Sequence, residues 1–161
     1  MRIGIIADTH DKLARTVTAM DLLVGGGAEA LIHCGDVTGA EIVRACGVLP
    51  SYFVFGNNDD GDTGLRRAIE EVNGVCLGWA GEITLGGKRI AVAHGHSTKD
   101  VRRLAAGRPD YLVFGHSHYA TDRREGPTRW INPGALHRAA KYTVALLELE
   151  TDFLQFLAVP R

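Results

Sequence analysis

At 161 residues the chain has the length of one domain, residues 1–161, able to bury roughly 70% of the surface its unfolded form exposes. Its 45% apolar and 23% charged composition is that of a soluble globular protein. A net charge of −1 gives no support for a general polyanion binder or a membrane-surface protein, and no apolar stretch approaches the ~20 residues of a membrane span.

In chain order, Arg2 to Ala7 reads as a buried strand, with Ile3, Ile5 and Ile6 supplying β-branched bulk, and Asp8-Thr9-His10-Asp11 as the turn after it. Apolar residues at Val17, Met20, Leu23 and Val24 predict a helix from Leu13 to Val24, stopped by Gly25-Gly26-Gly27. A short apolar run from Ala30 leads to Gly35-Asp36, and a helix is expected from about Gly39 to Cys46. Pro50 precedes a strand from Ser51 to Phe55, followed by Gly56-Asn57-Asn58-Asp59-Asp60-Gly61 and a helix capped by Thr63 that runs to about Val72. This alternation is βαβ logic and implies a parallel sheet.

The second half is strand-rich. Gly86-Gly87 between Glu82–Leu85 and Arg89–Ala93 signals a hairpin. A helix capped by Ser97 or Thr98 ends at Gly107 and Pro109, and Tyr111 to Phe114 is a buried strand. Further strands are expected over 120–124, 128–131, 142–148 and 153–158, with turns at Gly126-Pro127 and Asn132-Pro133-Gly134. Cys34, Cys46 and Cys76 are odd in number and widely spaced, which fits reduced thiols in a cytoplasmic protein. No signal peptide is expected at the start.

Five segments carry the chemistry: Asp8-Thr9-His10, Gly35-Asp36, Gly56-Asn57-Asn58-Asp59, His94-Gly95-His96 and Gly115-His116-Ser117-His118. Each follows a buried strand, where an isolated carboxylate is costly and a metal-coordinating one is not. Two residues apart on an extended segment means one side of the backbone, so His-x-His serves one ion or two neighbouring ions. The candidate ligands are Asp8, His10, Asp36, Asn57, His94, His116 and His118. Carboxylate, amide and imidazole without thiolate suit Mn²⁺, Fe, Co²⁺, Ni²⁺ or Zn²⁺.

In this order the five motifs resemble those of the calcineurin-like metallophosphoesterases. The short length and the late Asn132-Pro133-Gly134 look like the small YfcE-type phosphodiesterase branch, over residues 2 to about 138. The resemblance implies an α/β fold, a four-layer αββα sandwich of two mixed sheets flanked by helices. It implies two divalent metal ions, Mn²⁺ first among them: one held by Asp8, His10, Asp36 and His118, the other by Asp36, Asn57, His94 and His116, with Asp36 bridging. A hydroxide between the ions would attack phosphorus of a small or nucleotide-like phosphodiester. Asp36, Asn57, His94 and His96 are the candidates for catalytic roles.

Two positions depart from the pattern. Many members have histidine where this chain has Asn58, there contacting phosphate or protonating the leaving group, and Ala135 stands where the small branch often has serine. His96 is balanced between a supporting or substrate-facing role and a plain loop residue. His33 reads as a satisfied core histidine, and His137 and Arg138 as a solvated turn ahead of the alternative that they touch substrate. Asp11, Asp59, Asp60 and Asp62 read as capping or solvated residues, and Arg102, Arg103, Arg108, Arg123, Arg124 and Arg129 as surface arginines.

A second class of function stays open, a non-catalytic scaffold of the same fold that binds protein partners. The retromer subunit is similar in sequence but lacks the histidine of Asp-x-His. His10 and a full ligand set favour the enzyme acting on a small phosphodiester. No membrane association and no nucleic-acid track are expected, and a homo-oligomer is left open.

Overall fold

The alternating and helical patterns resolve into two mixed sheets in a computed structural model, which describes residues 1–61 and 63–161, excepting the side chain of Thr63. Asp62 and the capping role read for Thr63 therefore lie outside the described residues. The elements in order are β1 (Arg2–Ile6), α1 (Leu13–Gly25), β2 (Ala30–His33), α2 (Ala40–Cys46), β3 (Ser51–Phe53), α3 (Thr63–Glu71), β4 (Val75–Cys76), β5 (Ala80–Leu85) and β6 (Lys88–Ala93). They continue with α4 (Thr98–Ala106), β7 (Tyr111–Val113), β8 (Ala120–Glu125), β9 (Thr128–Pro133), β10 (Thr143–Glu148) and β11 (Phe153–Ala158).

One sheet runs β11-β10-β1-β2-β3-β4, with β1 to β4 parallel and β10 and β11 antiparallel. The other runs β5-β6-β7-β9-β8, parallel through β6, β7 and β9 with antiparallel strands at both edges. The β-period of two sorts side chains into layers. Ile3, Ile5 and Ile32 pack against Ile90, Val92, Val113 and Ile131 between the sheets. Ile6 and Leu31 face outward onto Met20, Leu23, Ile42 and Ile69 of α1 to α3. Ala91, Leu112 and Trp130 face the other way, onto Leu104 of α4. This is the αββα sandwich. Both faces of the central strands are covered, so they read as continuous apolar runs rather than alternating ones. Trimming one of these buried isoleucines to alanine would cost about 2–5 kcal/mol.

The hairpin signal at Gly86-Gly87 is correct: both have positive φ, and Leu85 pairs with Lys88 across them. Ser97 caps α4, accepting from the Asp100 backbone N–H at 3.3 Å. The stripe expected on α1 is corrected. Its buried face is Thr16, Ala19, Met20 and Leu23, while Val17 and Val24 are 44% and 47% exposed. Two valines at helical spacing outscored a buried threonine in the sequence pattern, yet Thr16 closes its hydroxyl onto the Lys12 carbonyl and so packs at little cost. The two-residue β4 was not foreseen; it is an edge strand too short for a periodic signal.

Candidate metal centre

The parallel strands β1, β2, β3, β6 and β7 deliver their C-terminal turns to one end of the sandwich, where open α/β sheets bind ligands. The turns are strained. Asp8, His10, Asp36, His116 and His118 all have φ between +43° and +67°, as does Arg138. Such backbone costs of order 1 kcal/mol or more per non-glycine residue and persists where surrounding structure imposes it.

Hydrogen bonds between the turns impose it here. Asp8 N–H donates to the Gly35 carbonyl at 3.0 Å, and Thr9 and His10 N–H both donate to the Asp36 carbonyl at 3.1 and 3.2 Å. Below them, the fully buried His33 accepts from Gly35 N–H at Nδ1 and faces Thr9 Oγ1 with Nε2, at 3.2 and 3.1 Å. With Nδ1 accepting, Nε2 carries the proton and donates to the threonine. Burial pushes the His33 pKa down to about 3, so it is a neutral core residue that ties the two turns together.

Two residues matter more than the sequence suggested. Asp59 is not solvated: it is buried, and its carboxylate accepts from the Gly56, Val37 and Thr38 backbone N–H groups at 2.8, 3.2 and 2.8 Å. It locks the Asn57 turn to the Asp36 turn. Asn132, fully buried, donates to the Gly115 carbonyl at 2.7 Å and accepts from Gly134 N–H at 2.9 Å, which holds the His116–His118 turn against β9. The signal for each was its motif, Gly-Asn-x-Asp and Asn-Pro-Gly, read for turn chemistry alone. Tight turns also need bare backbone. A Cβ on Gly35, at φ +91°, would lie 2.7 Å from His94 Nδ1, and one on Gly56 would collide with the Asp36 carboxylate.

The seven candidate ligands then converge. His118 Nε2 lies 3.3 Å from Asp8 Oδ1, and His10 Nε2 lies 3.1 Å from Asp36 Oδ2. His94 Nε2 is 3.4 Å from Asp36 Oδ2, 3.9 Å from Asp8 Oδ1 and 3.1 Å from Asn57 Oδ1. The His116 ring stands 5.1 Å from the His94 ring, and its backbone N–H donates to Asp8 Oδ2 at 3.0 Å. Two groups bring one ligand atom of each member close enough for a single ion: Asp8 with His10 and His118, and Asp8 with Asp36 and His94. Asp8 is common to both groups. Asp36 meets His10 and His94, one from each of the two ligand sets read from the motifs.

The residues fit a cation. Asp8 is fully buried and its Oδ1 has no hydrogen-bond partner. Burial pushes its carboxyl up to about 6, against the pull of His94 and His118. A buried anion with an empty lone pair is expensive alone and favourable beside a metal ion. Burial also raises Asp36, but hydrogen bonds from His94 and Asn58 outweigh it and hold this carboxyl well below the usual range. Burial lowers the pKa of His10, His96, His116 and His137, keeping them neutral. Burial acts on His94 in the same sense, yet the Asp36 hydrogen bond and the two carboxylates turn its net shift upward. Its Nδ1–H donates to the Cys34 carbonyl at 2.8 Å, which leaves Nε2 as the ligand atom.

A cavity of about 360 Å³ opens over the cluster, lined by His10, Asp36, Asn57, Asn58, His116, His118, His137 and Arg138. His137 and Arg138 do lie on a turn, half-buried and exposed respectively, and both also line this cavity: the His137 ring packs 4.5 Å from that of His10, and the Arg138 carbonyl is 3.3 Å from His118 Nδ1. His96 stands to the side of this lining, exposed, between the rings of His94 and Trp79. Several of the arginines read as surface residues are engaged with other partners. Arg129 is held between Asp122 and Asp152, Arg123 lies over the Trp130 ring, and Arg103 pairs with Asp100.

Comparison with known proteins places the chain in a family. The phosphodiesterase MJ0936 of Methanocaldococcus jannaschii is 25% identical over 138 residues, 83% of each chain. The phosphodiesterase YfcE of Escherichia coli is 24% identical over 152 residues, 84% of this chain and 79% of that one. A solved structure described as a novel archaeal phosphodiesterase superposes with a TM-score of 0.90 at 24% identity, covering 99% of this chain and all of that one. The family model of the calcineurin-like phosphoesterase superfamily domain matches residues 1–152, and the chain belongs to that superfamily.

Proposed function

We propose that residues 1–161 form one catalytic domain, a dimetal-dependent phosphodiesterase that hydrolyses small or nucleotide-like phosphodiesters. The observation that carries the reading is the buried, unpartnered Oδ1 of Asp8 with His118, His94 and Asp36 around it. Asp8, His10, Asp36 and His118 would hold one ion, and Asp36, Asn57, His94 and His116 the other. When bound, two divalent ions lower the pKa of a water and neutralise phosphoryl charge. Mn²⁺ is the first ion to test, and the thiolate-free donor set supports it alongside Ni²⁺, Zn²⁺, Fe and Co²⁺.

The chain's own residues do the rest. The Cys34 and Arg138 carbonyls fix the ring orientations of His94 and His118. Asn58 steadies Asp36 through two hydrogen bonds. Arg138 brings positive charge to the cavity wall, where a phosphate would sit. The relatives named phosphodiesterases support a diester, and the open cavity suits a small one. A cytoplasmic setting is supported by the free cysteines, and none of the described helices is long and apolar enough to cross a membrane. Against the scaffold reading stands His10, in contact with Asp36.

The test is a screen of metal-reconstituted protein on bis(p-nitrophenyl) phosphate, cyclic nucleotides and phosphomonoesters. The expected result is hydrolysis of diesters above monoesters. Inactivity toward every ester, in protein shown to hold two ions, would favour the scaffold instead.

A further inference from the structure

Beside the cavity over the metal cluster lies a second one, of about 260 Å³, lined by His116, Ser117, His118, Tyr119, Arg138, Ala139 and Ala140. The two share His116, His118 and Arg138, so they adjoin, and His118 Nδ1 meets the Arg138 carbonyl where they do. Three features of the second cavity point to a ligand.

The first is Tyr119. It directly follows the ligand His118, yet it is 74% exposed, an unusual position for a ring of that size. Its backbone is fixed, with its N–H on Ser117 Oγ at 3.5 Å and Ser117 held in turn by Asn132. The ring is thus a free face on an anchored stem. The second is Arg138. It is held in left-handed backbone at φ +44°, it lines both cavities, and no carboxylate among the described residues pairs with its guanidinium. The third is the floor, where Ser117, Ala139 and Ala140 are small and leave a slot open. Its volume is below the ~300–1,000 Å³ of pockets that take whole drug-sized ligands, so it suits one ring system.

We infer that this second cavity binds one arm of the diester, and that the arm is a planar aromatic or heterocyclic ring stacked on Tyr119, with the guanidinium of Arg138 between that ring and the phosphate. The inference rests on the phosphodiesterase reading and deepens it. An exposed tyrosine face and a guanidinium plane both favour flat, polarisable rings over alkyl chains, with little discrimination among ring types. The substrate class is therefore diesters whose non-leaving arm carries a flat ring, nucleotide-like or aryl, selected over those of equal charge whose non-leaving arm is a simple alkyl group. The site reads the flatness of the arm and not its hydrogen-bonding edge, so several bases should serve.

The experiment compares two esters with the same leaving group, thymidine 5′-(p-nitrophenyl phosphate) and methyl p-nitrophenyl phosphate, on metal-loaded wild type, Tyr119→Ala and Tyr119→Phe. The wild type should prefer the thymidine ester by about tenfold in kcat/KM, mainly through KM. Tyr119→Ala should bring the ratio close to one by slowing the thymidine ester alone, and Tyr119→Phe should keep the preference. Equal turnover of the two esters by wild type, or a preference that survives Tyr119→Ala, would overturn the subsite. Calorimetric binding of thymidine 5′-monophosphate and methyl phosphate to the same proteins separates this from failure of the phosphodiesterase reading. If neither ester is cleaved, tighter binding of the nucleotide that is lost in Tyr119→Ala still supports the subsite, and equal binding of the two phosphates refutes it.

Discussion

Asn58 grips Asp36 with both of its donors: the backbone N–H reaches Oδ1 at 2.9 Å and the side-chain amide reaches Oδ2 at 2.7 Å. The residue at this position is thus a clamp on a candidate metal ligand. It has no proton to give near neutral pH. A placed general acid is typically worth about 10²–10⁴ in rate. Aryl diesters, whose leaving groups are stable anions, should therefore turn over well and simple alkyl diesters poorly. Rates across substituted aryl diesters should fall steeply as the leaving group's pKa rises, and Asn58→His should flatten that slope. A shallow slope in wild type that steepens in His96→Ala would place the acid at His96 instead.

Asp36 contacts His10 and His94, and its backbone carbonyl takes two N–H groups from the Asp8 turn. Asp36→Asn should lower activity about tenfold or more below either His94→Ala or His118→Ala, because it weakens the hold on both ions where each histidine variant weakens one. Its fold should persist, since the backbone contacts remain. Elemental analysis gives the check: two ions at full occupancy in Asp36→Asn, with a near-normal rate, would contradict its bridging role.

Asp8 makes the metal-free protein sensitive to pH in a definite direction. Its carboxyl titrates near 3.8 when unfolded and near 6 in the metal-free fold, chiefly because it is buried. The folded state holds the proton more tightly, so Asp8 costs stability progressively as pH rises from about 4 through 6, and no more above that. The plateau is on the order of 2–3 kcal/mol. Asp8→Asn removes this cost, and asparagine tolerates the left-handed backbone at φ +52°. In urea unfolding of chelator-treated proteins, the variant should match wild type near pH 4 and exceed it at pH 7. A difference that does not change with pH would refute the burial argument.

Thr9 is the link between the two turns at the level of the core. Thr9→Val keeps the volume but leaves the His33 Nε2–H without its partner, a loss of about 1–3 kcal/mol. Thr9→Ser should retain most of the stability. Metal titrations of the valine variant should also show weaker binding, since the Asp8 and Asp36 turns lose their shared strut. Unchanged urea midpoints for Thr9→Val would show that the strut is not needed.

Element order, β4 apart, was legible in the sequence because central strands buried on both faces leave unbroken apolar runs, and Gly86-Gly87 marks its turn plainly. The turn read at Asn132-Pro133-Gly134 begins only at Gly134, since Asn132 and Pro133 pair with β8 as the end of β9. The candidate ligands stood out because each motif follows a strand end, and the fold brings those ends together. What was missed was missed for different reasons. Val17 and Val24 outweighed Thr16 because composition does not reveal a hydroxyl satisfied inside its own helix. Asp59 was read as capping or solvated; it does cap backbone N–H groups, but its burial was not legible, because a carboxylate accepting three of them needs two other turns to be in place. His137 and Arg138 form the turn that was read, and its place at the cavity was the less favoured alternative; β9 and β10 lie in different sheets, so the chain passes the site between them. Such relations exist between turns, and no local pattern reports them.

The central claim is that the carboxylate and imidazole cluster is a two-metal centre on which hydrolysis depends. The most direct measurement is metal content and activity on one sample, stripped with chelator and then titrated with Mn²⁺. Two ions per chain should bind, hydrolysis of bis(p-nitrophenyl) phosphate should return with them, and the melting temperature should rise, since ions held only by the folded state stabilise it. Full activity in protein shown to be free of metal would contradict the account.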